Sequence, residues 1–382
     1  MTRKLQLLCI GRDLSPAGAE RVQAALFRHL DQSRFSVDLH YMSDGDDLLD
    51  EMPAGLAPCF GRIGRVPRKL DAARTLHRLV RAARRSDLIF ATQEGSPVYL
   101  AAIAGAVARK PVVGWIHGPW SRLRKQAGGW HVLASRILYP RASRLVCVSE
   151  GVRRDLESES PSLADRLAVL PNPLDIERIR TQSLEPAPPW ATNFPDEGAI
   201  VACGRLVPDK GFDLLLRAFA KSASCRRGTR LVVLGEGPER ARLESLGIEL
   251  GLRGRVSLPG HLANPYPVFR RATVFVLSSR VEGVGMVLLE AMTLSVPVVA
   301  FDSDAGGPRE IFGVQDCGQL VEAGDPGRLA DAIDRMLGDR ALAARCRDWG
   351  ERRARKFDAE RAARRFETLF QSVLDAARSR RS

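Results

Sequence analysis

The sequence predicts an α/β protein of two doubly wound parallel sheets. Three observations carry this: short apolar runs alternate with amphipathic stretches, the alternation restarts after a proline-rich break, and 382 residues are too many for one ordinary core. In the first half the runs are Leu5–Ile10, Phe35–Tyr41, Leu88–Ala91, Val112–Ile116, Leu145–Val148 and Leu167–Leu170. In the second half they are Ala199–Cys203, Leu231–Leu234, Val256–Leu258, Thr273–Leu277 and Val298–Phe301. Most are apolar throughout, which suits strands covered on both faces by helices. The break lies near Pro171-Asn172-Pro173 and continues into the strand-poor segment Glu185–Trp190. We therefore expect an N-terminal domain over 1–174 and a C-terminal domain over 175–359, with a final helix at about 360–382 crossing back to the first. Ligands of such sheets bind beyond the carboxyl ends of the strands, so two of them facing each other would enclose a cleft.

Composition narrows the class. The hydrophobic and charged fractions, 45% and 27%, are those of a globular protein. Seven cysteines are scattered without a C-x-x-C pair, several inside apolar runs, which predicts reduced, buried thiols rather than disulfides or a zinc site. Met1–Gly11 reads as a first strand rather than a signal peptide, since its apolar run is broken by Gln6. The longest nearly apolar segment, Pro97–Ala108, is too short to span a bilayer, so a cytoplasmic location is expected. The net charge is +13, and it is uneven: residues 1–172 carry 26 Lys and Arg against 17 Asp and Glu, or +9.

The most informative unit is Glu282 to Glu290. The apolar run ending at Leu277 leads through Ser278-Ser279-Arg280 into Glu282, and Met286–Leu294 reads as the helix that follows. Unpaired N–H groups at a helix N-terminus favour anions, and Gly283 and Gly285 let one approach the backbone. Carboxylates on either side of such a terminus suit hydroxyls flanking a phosphate, the layout of a nucleotide sugar. Upstream, Ala199–Cys203 ends at Gly204-Arg205 and turns to Lys210 before an amphipathic helix, placing two cations beside a second N-terminus, where they could grip a diphosphate. Neither half carries G-x-G-x-x-G after its first strand: Gly11 to Gly18 has the wrong spacing, and Gly235-Glu236-Gly237 continues differently, which disfavours a nicotinamide oxidoreductase.

These elements together resemble a family. Gly204-Arg205-Leu206 with Lys210-Gly211, Leu234-Gly235-Glu236-Gly237-Pro238-Glu239, Leu258-Pro259-Gly260, Ser279 to Gly285, Leu289-Glu290-Ala291-Met292 and Gly306-Gly307-Pro308-Arg309-Glu310 occur in the order and spacing of the retaining GT-B glycosyltransferases of family 4. The likeness is strong over about 195–325 and weaker before it. It implies a GT-B fold of two Rossmann-like domains and an activated-sugar donor bound mainly by the second. Arg205 and Lys210 would contact the diphosphate, Glu282 and the backbone of Gly283, Val284, Gly285, Met286 and Val287 the sugar and phosphate, and Glu290 the ribose. The base would lie near His261 and Leu262. His117, just past Val112–Ile116, would bond donor-sugar hydroxyls, and with Glu282, Arg205 and Lys210 it makes up the expected catalytic set. The segment Ser15 to Arg21, with Gly18, looks like the family's glycine-rich loop, though Ala17-Gly18 stands where two glycines are usual.

The resemblance further implies transfer with retention from a UDP- or GDP-sugar to an acceptor hydroxyl, in cell-surface polysaccharide or lipid-linked glycan synthesis, the leaving diphosphate helping to take the acceptor proton. No cofactor is expected. Asp302-Ser303-Asp304 and Asp44-Gly45-Asp46-Asp47 could hold a divalent cation on a diphosphate, but Arg205, Lys210 and two helix termini already supply positive charge, so no metal is expected.

The basic surplus concentrates between Arg62 and Arg85, nine Lys or Arg against Asp71 alone. Helical spacing puts Arg74, Arg78, Arg81 and Arg85 on one stripe opposite Ala72, Leu76, Leu79, Val80 and Ala83. Such a stripe suits an anionic membrane surface, as does Trp120–Lys125 with Trp130 nearby, so the inner face of the cytoplasmic membrane is the expected place of work. Three alternatives stand beside this reading: a small soluble acceptor, a basic nucleic-acid-binding protein, and a non-catalytic sugar-nucleotide sensor. No recognition helix or aromatic-basic ladder supports nucleic acid.

Overall fold

The structure is a computed structural model that describes residues 3–14, 18–43, 52–53, 56, 58–60, 69–126, 128–192, 194, 198–313 and 319–380. The chain divides into two compact units, Met1–Pro173 with Ala359–Ser382, and Leu174–Asp358. The first holds β1 (Leu5–Gly11), β2 (Phe35–Tyr41), β3 (Cys59–Phe60), β4 (Leu88–Ala91), β5 (Val112–Ile116), β6 (Arg144–Cys147) and β7 (Leu167–Val169). The second holds β8 (Ala199–Cys203), β9 (Arg230–Leu234), β10 (Val256–Gly260), β11 (Val274–Leu277), β12 (Val298–Asp302) and β13 (Gln319–Glu322).

Both sheets are parallel, in the orders β3-β2-β1-β4-β5-β6-β7 and β10-β9-β8-β11-β12-β13. β4, β5 and β11 are buried at every residue, because helices cover both faces of each sheet. In each unit the winding reverses beside the first strand, between β1 and β4 and between β8 and β11. At such a reversal two neighbouring loops leave in opposite directions and open a crevice at the strand carboxyl ends. Fold alone thus selects the loops after β8 and β11, and after β1 and β4.

Helices fill in as their sequences dictate. Ser96–Ala108 is apolar nearly all round and is a core helix, burying Val98, Tyr99, Ala101, Ala102 and Ala104, which accounts for the long apolar segment. The final helix, Ala359–Ser379, sends Phe366 and Phe370 onto Phe90 and Trp115 of the first sheet. Two expectations for the basic surface are corrected. On Lys69–Arg85, Arg74, Arg81 and Arg85 are exposed, but Arg78 donates to the carbonyls of Phe60 (2.6 Å) and Tyr41 (3.4 Å), because unpaired carbonyls at the ends of β2 and β3 need a donor. Trp120 is buried against Tyr139 and cannot be an interfacial ring. Arg62, Arg65 and Arg68 lie outside the described residues.

In the second unit the loops are set by close backbone approach. A Cβ on Gly307 would lie 2.6 Å from Gly283 C and Val284 N and 2.7 Å from Glu282 O. Between Lys210 and the next helix, Gly211 adopts φ 62°, where a Cβ would meet the Ser278 carbonyl at 2.1 Å. Gly307→Ala should therefore push the Glu282–Val284 strand of loop outward, lowering stability by roughly 1–3 kcal/mol in urea unfolding. A wild-type unfolding curve for that variant would show that the loop yields freely.

Candidate functional site

In the second unit, the loop after β8 carries Arg205, exposed, and ends in the short helical turn Pro208–Lys210. The loop after β11 carries Glu282, and the structure brings these two loops together. Lys210 Nζ donates to Glu282 Oε2 at 2.6 Å, and Ser279 Oγ donates to the same oxygen at 3.1 Å. Both bonds converge on Oε2, which leaves Oε1 to accept from a ligand hydroxyl. The pair is half-buried, 26% and 16% exposed, so it is screened less than a surface pair.

A second bridge joins the same two segments. Arg280 grips Asp213 through both guanidinium nitrogens at 2.8 Å and donates to the Pro208 carbonyl at 2.7 Å, while its backbone N–H donates to the Asp209 carbonyl. Burial pushes the Asp213 carboxyl up, but the Arg280 hydrogen bonds and charge outweigh it and hold the group below its ordinary value. Asp213 also sits in the first turn of Phe212–Lys221, where negative charge suits the helix dipole.

The helices that leave these loops both start at a glycine. Phe212–Lys221 begins at Gly211 and Met286–Thr293 at Gly285, both in left-handed backbone and neither with a side-chain cap. Elsewhere in the same unit Ala223–Arg227, Pro326–Gly338 and Arg340–Ala354 are capped by Ser222, Asp325 and Asp339, while Arg240–Glu249 and Gly307–Phe312 have no side-chain cap. Uncapped N–H groups beside Arg205 can take an anion. Gly283, Val284 and Gly285 are buried in this loop, Met286 and Val287 open the helix, and Glu290 is half-buried one turn on. His261 and Leu262 follow β10 at the sheet edge, two strands from Arg205.

Asp302 is held by Arg309, whose Nε donates to its two oxygens at 3.0 and 2.9 Å, while Asp304 is exposed and gives its backbone carbonyl to the Glu282 N–H. The described residues contain no cluster of three metal-ligating side chains, and Asp44 to Asp47 lie outside them.

In the first unit, His117 follows β5. Its Nε2 lies 2.9 Å from the Thr92 carbonyl and must donate to it, its ring lies tilted against Trp115 with centroids 4.6 Å apart, and its backbone N–H donates to Glu94 Oε2 at 2.9 Å. Burial lowers the imidazole pKa, with Glu94 opposing. A neutral ring with Nε2–H leaves Nδ1 as an acceptor, so His117 can receive a hydrogen bond from a hydroxyl. Glu94 is a residue that sequence reasoning missed, although its place just past β4 was a usable signal. Beside it, Gln93 Oε1 accepts from the Arg12 N–H at 3.0 Å and its amide donates to Glu20, a buried carboxyl whose pKa burial raises. Gly18 starts the helix Gly18–His29 with open space around its Cα, and Ser15–Ala17 lie outside the described residues.

The family model described as "Glycosyl transferases group 1" matches residues 189–353, and "Glycosyltransferase Family 4" matches 16–178. The chain belongs to the family-4 glycosyltransferases. This glycosyltransferase is 34% identical over 284 residues to an exopolysaccharide phosphotransferase of Streptomyces coelicolor, a match covering 73% of this chain and 28% of that protein. It is 32% identical over 228 residues to the N-acetylgalactosamine-N,N'-diacetylbacillosaminyl-diphospho-undecaprenol 4-alpha-N-acetylgalactosaminyltransferase of Campylobacter jejuni, covering 60% of each. In fold it is similar to Anabaena HepE in complex with UDP-glucose, with TM-score 0.79 and 21% identity over 96% of this chain and all of that one. The glycosyltransferase is of GT-B type, with a Rossmann-like parallel sheet in each unit.

Two outcomes follow from the geometry. Lys210→Met and Glu282→Gln should be non-additive in urea unfolding, with a coupling of about 0.5–3 kcal/mol, and strict additivity would show the contact carries no energy. For His117 the folded pKa lies below the unfolded value of 6.5, so its contribution is fully present above that pH and is lost as pH falls through the lowered folded pKa. Wild type should lose stability relative to His117→Gln on acidification from neutral pH, and parallel pH profiles would contradict it.

Proposed function

We propose that this glycosyltransferase moves a sugar from a UDP- or GDP-sugar to a hydroxyl of a lipid-linked glycan acceptor, with retention of configuration and without a metal. The observation that carries it is the pair of uncapped, glycine-led helix N-termini set beside Arg205 and the Lys210–Glu282 pair at a sheet reversal. A diphosphate would draw on both termini and Arg205, and Lys210 would divide its charge between phosphate and Glu282. Glu282 Oε1 accepts from a sugar hydroxyl in this reading, Glu290 from the ribose, and His261-Leu262 border the base. His117 Nδ1 accepts from a donor-sugar hydroxyl and acts as a positioning group.

The protein's share of the rate is then electrostatic stabilisation of the departing diphosphate, which in turn takes the acceptor proton on the same face. The solved Anabaena structures hold UDP, and the Campylobacter relative carries a diphospho-undecaprenol acceptor in its name, which supports the donor and acceptor classes. Work at the inner face of the membrane follows from such an acceptor.

Nucleotide binding is the first test, because a ligand of the folded state raises its melting temperature by mass action. UDP or GDP should stabilise the protein; neither doing so would sink the donor assignment. Arg205→Ala should then lower turnover by about 10²–10³-fold at an unchanged melting temperature. Glu282→Gln should impair sugar transfer while nucleotide affinity stays largely intact, and equal loss of both would mark Glu282 as a structural group.

A further inference from the structure

We propose that the helix Gly129–Leu138, flanked by basic residues, is the face by which this protein rests on an anionic lipid surface. The inference rests on the lipid-acceptor reading for its purpose, but its observations are separate. Trp130, Leu133 and Ile137 are 60%, 61% and 50% exposed, three of the large apolar side chains most open to water among the described residues. Their spacing of three and four places them on one stripe, while Ser135 faces inward and is buried.

The stretch of chain that carries the stripe holds charge of one sign, and the acid beside it in space, Glu159, lines a groove with Ser135 and Arg136 and is paired with Arg124. Between Glu94 and Glu150 the chain has no acidic residue and eight basic ones. Arg124 is paired with Glu159 and Arg144 donates to backbone carbonyls, but Lys125, Arg136 and Arg141 stand exposed. An apolar stripe rimmed by cations, with an indole at one end, matches the boundary between lipid headgroups and acyl chains. A second copy of this chain laid on the same face would oppose like charges. Nucleic acid would satisfy the cations and leave Leu133 and Ile137 in water. The arginine face of Lys69–Arg85 differs, because its exposed positions Arg74, Arg81, Arg84 and Arg85 bring charge without an exposed large apolar side chain among the described residues of that helix.

Co-sedimentation with vesicles tests this. Wild type should partition onto vesicles of equimolar phosphatidylglycerol and phosphatidylcholine at least about tenfold better than onto phosphatidylcholine alone. The double variants Leu133→Gln/Ile137→Gln and Arg136→Glu/Arg141→Glu should each lose about tenfold or more, whereas Arg74→Glu/Arg81→Glu should change it by less than about threefold. Wild-type partition of both Gly129–Leu138 variants would overturn the proposal, as would equal binding to phosphatidylcholine. So would light scattering that shows a dimer broken by Leu133→Gln/Ile137→Gln. All six substituted side chains are exposed, so melting temperatures should be unchanged. UDP and GDP stabilisation of the same samples separates the two readings: a protein that sediments with vesicles but ignores both nucleotides loses its donor assignment and keeps this surface.

Discussion

Backbone pressed on backbone at Gly307 and Gly211 is the constraint on which the second unit's site depends. Three loops leave β8, β11 and β12, and each is fixed against the next where a side chain would collide with peptide atoms. Sheet order makes this possible, since β8 and β11 are neighbours although Lys210 and Glu282 are 72 residues apart. The ion pairs come second. Lys210–Glu282 and Arg280–Asp213 cross seams already closed by glycine, and partly exposed pairs contribute too little to close them alone. Their effect is on orientation: each fixes which way a charged side chain points at the mouth of the crevice.

The same economy appears at the helix ends. A missing side-chain cap leaves a helix about 1 kcal/mol less stable, and the unit caps Ala223–Arg227, Pro326–Gly338 and Arg340–Ala354 with serine or aspartate but not Arg240–Glu249 or Gly307–Phe312. At Gly211 and Gly285 it does not, and those two helices end on the crevice. Packing holds them instead, through Leu215, Leu216 and Phe219 on one and Leu288, Leu289 and Met292 on the other. The glycine starts thus leave the backbone open to a ligand's charge, in a core dense enough to tolerate it.

How much of this was legible follows from the range of each interaction. Strands such as Leu88–Ala91, Val112–Ile116 and Ala199–Cys203 announce themselves, since burial on both faces leaves an unbroken apolar run. β3 is two residues long and β13 is an edge strand with an exposed Glu322, so neither leaves such a run. The motif residues after β8 and β11 could be placed at loop ends, but the Lys210–Glu282 contact and the Arg280–Asp213 bridge join positions about seventy apart, for which a single sequence holds no signal. Arg78 shows the converse. Its helical stripe was legible, yet a stripe cannot say that one of its arginines turns inward to carbonyls at a sheet edge. Trp120 beside charged residues likewise looks interfacial until Tyr139 is found packed on it.

Those two corrections relocate the surplus charge rather than remove it. Once Arg78 is bound to backbone, the face of Lys69–Arg85 is a set of solvated cations over a half-buried apolar side, able to attract an anionic surface but with nothing to insert. The acid-free run after Glu94 combines both properties, since Lys125, Arg136 and Arg141 stand exposed around Trp130, Leu133 and Ile137. Glu94 is the last acid before that run, and it accepts from the His117 N–H. Positive charge in this protein therefore has two separate settings. In one, Arg205 and Lys210 stand at loop ends fixed by glycine, where orientation matters. In the other, exposed cations rim an apolar stripe, where only net attraction is needed and flexible side chains suffice.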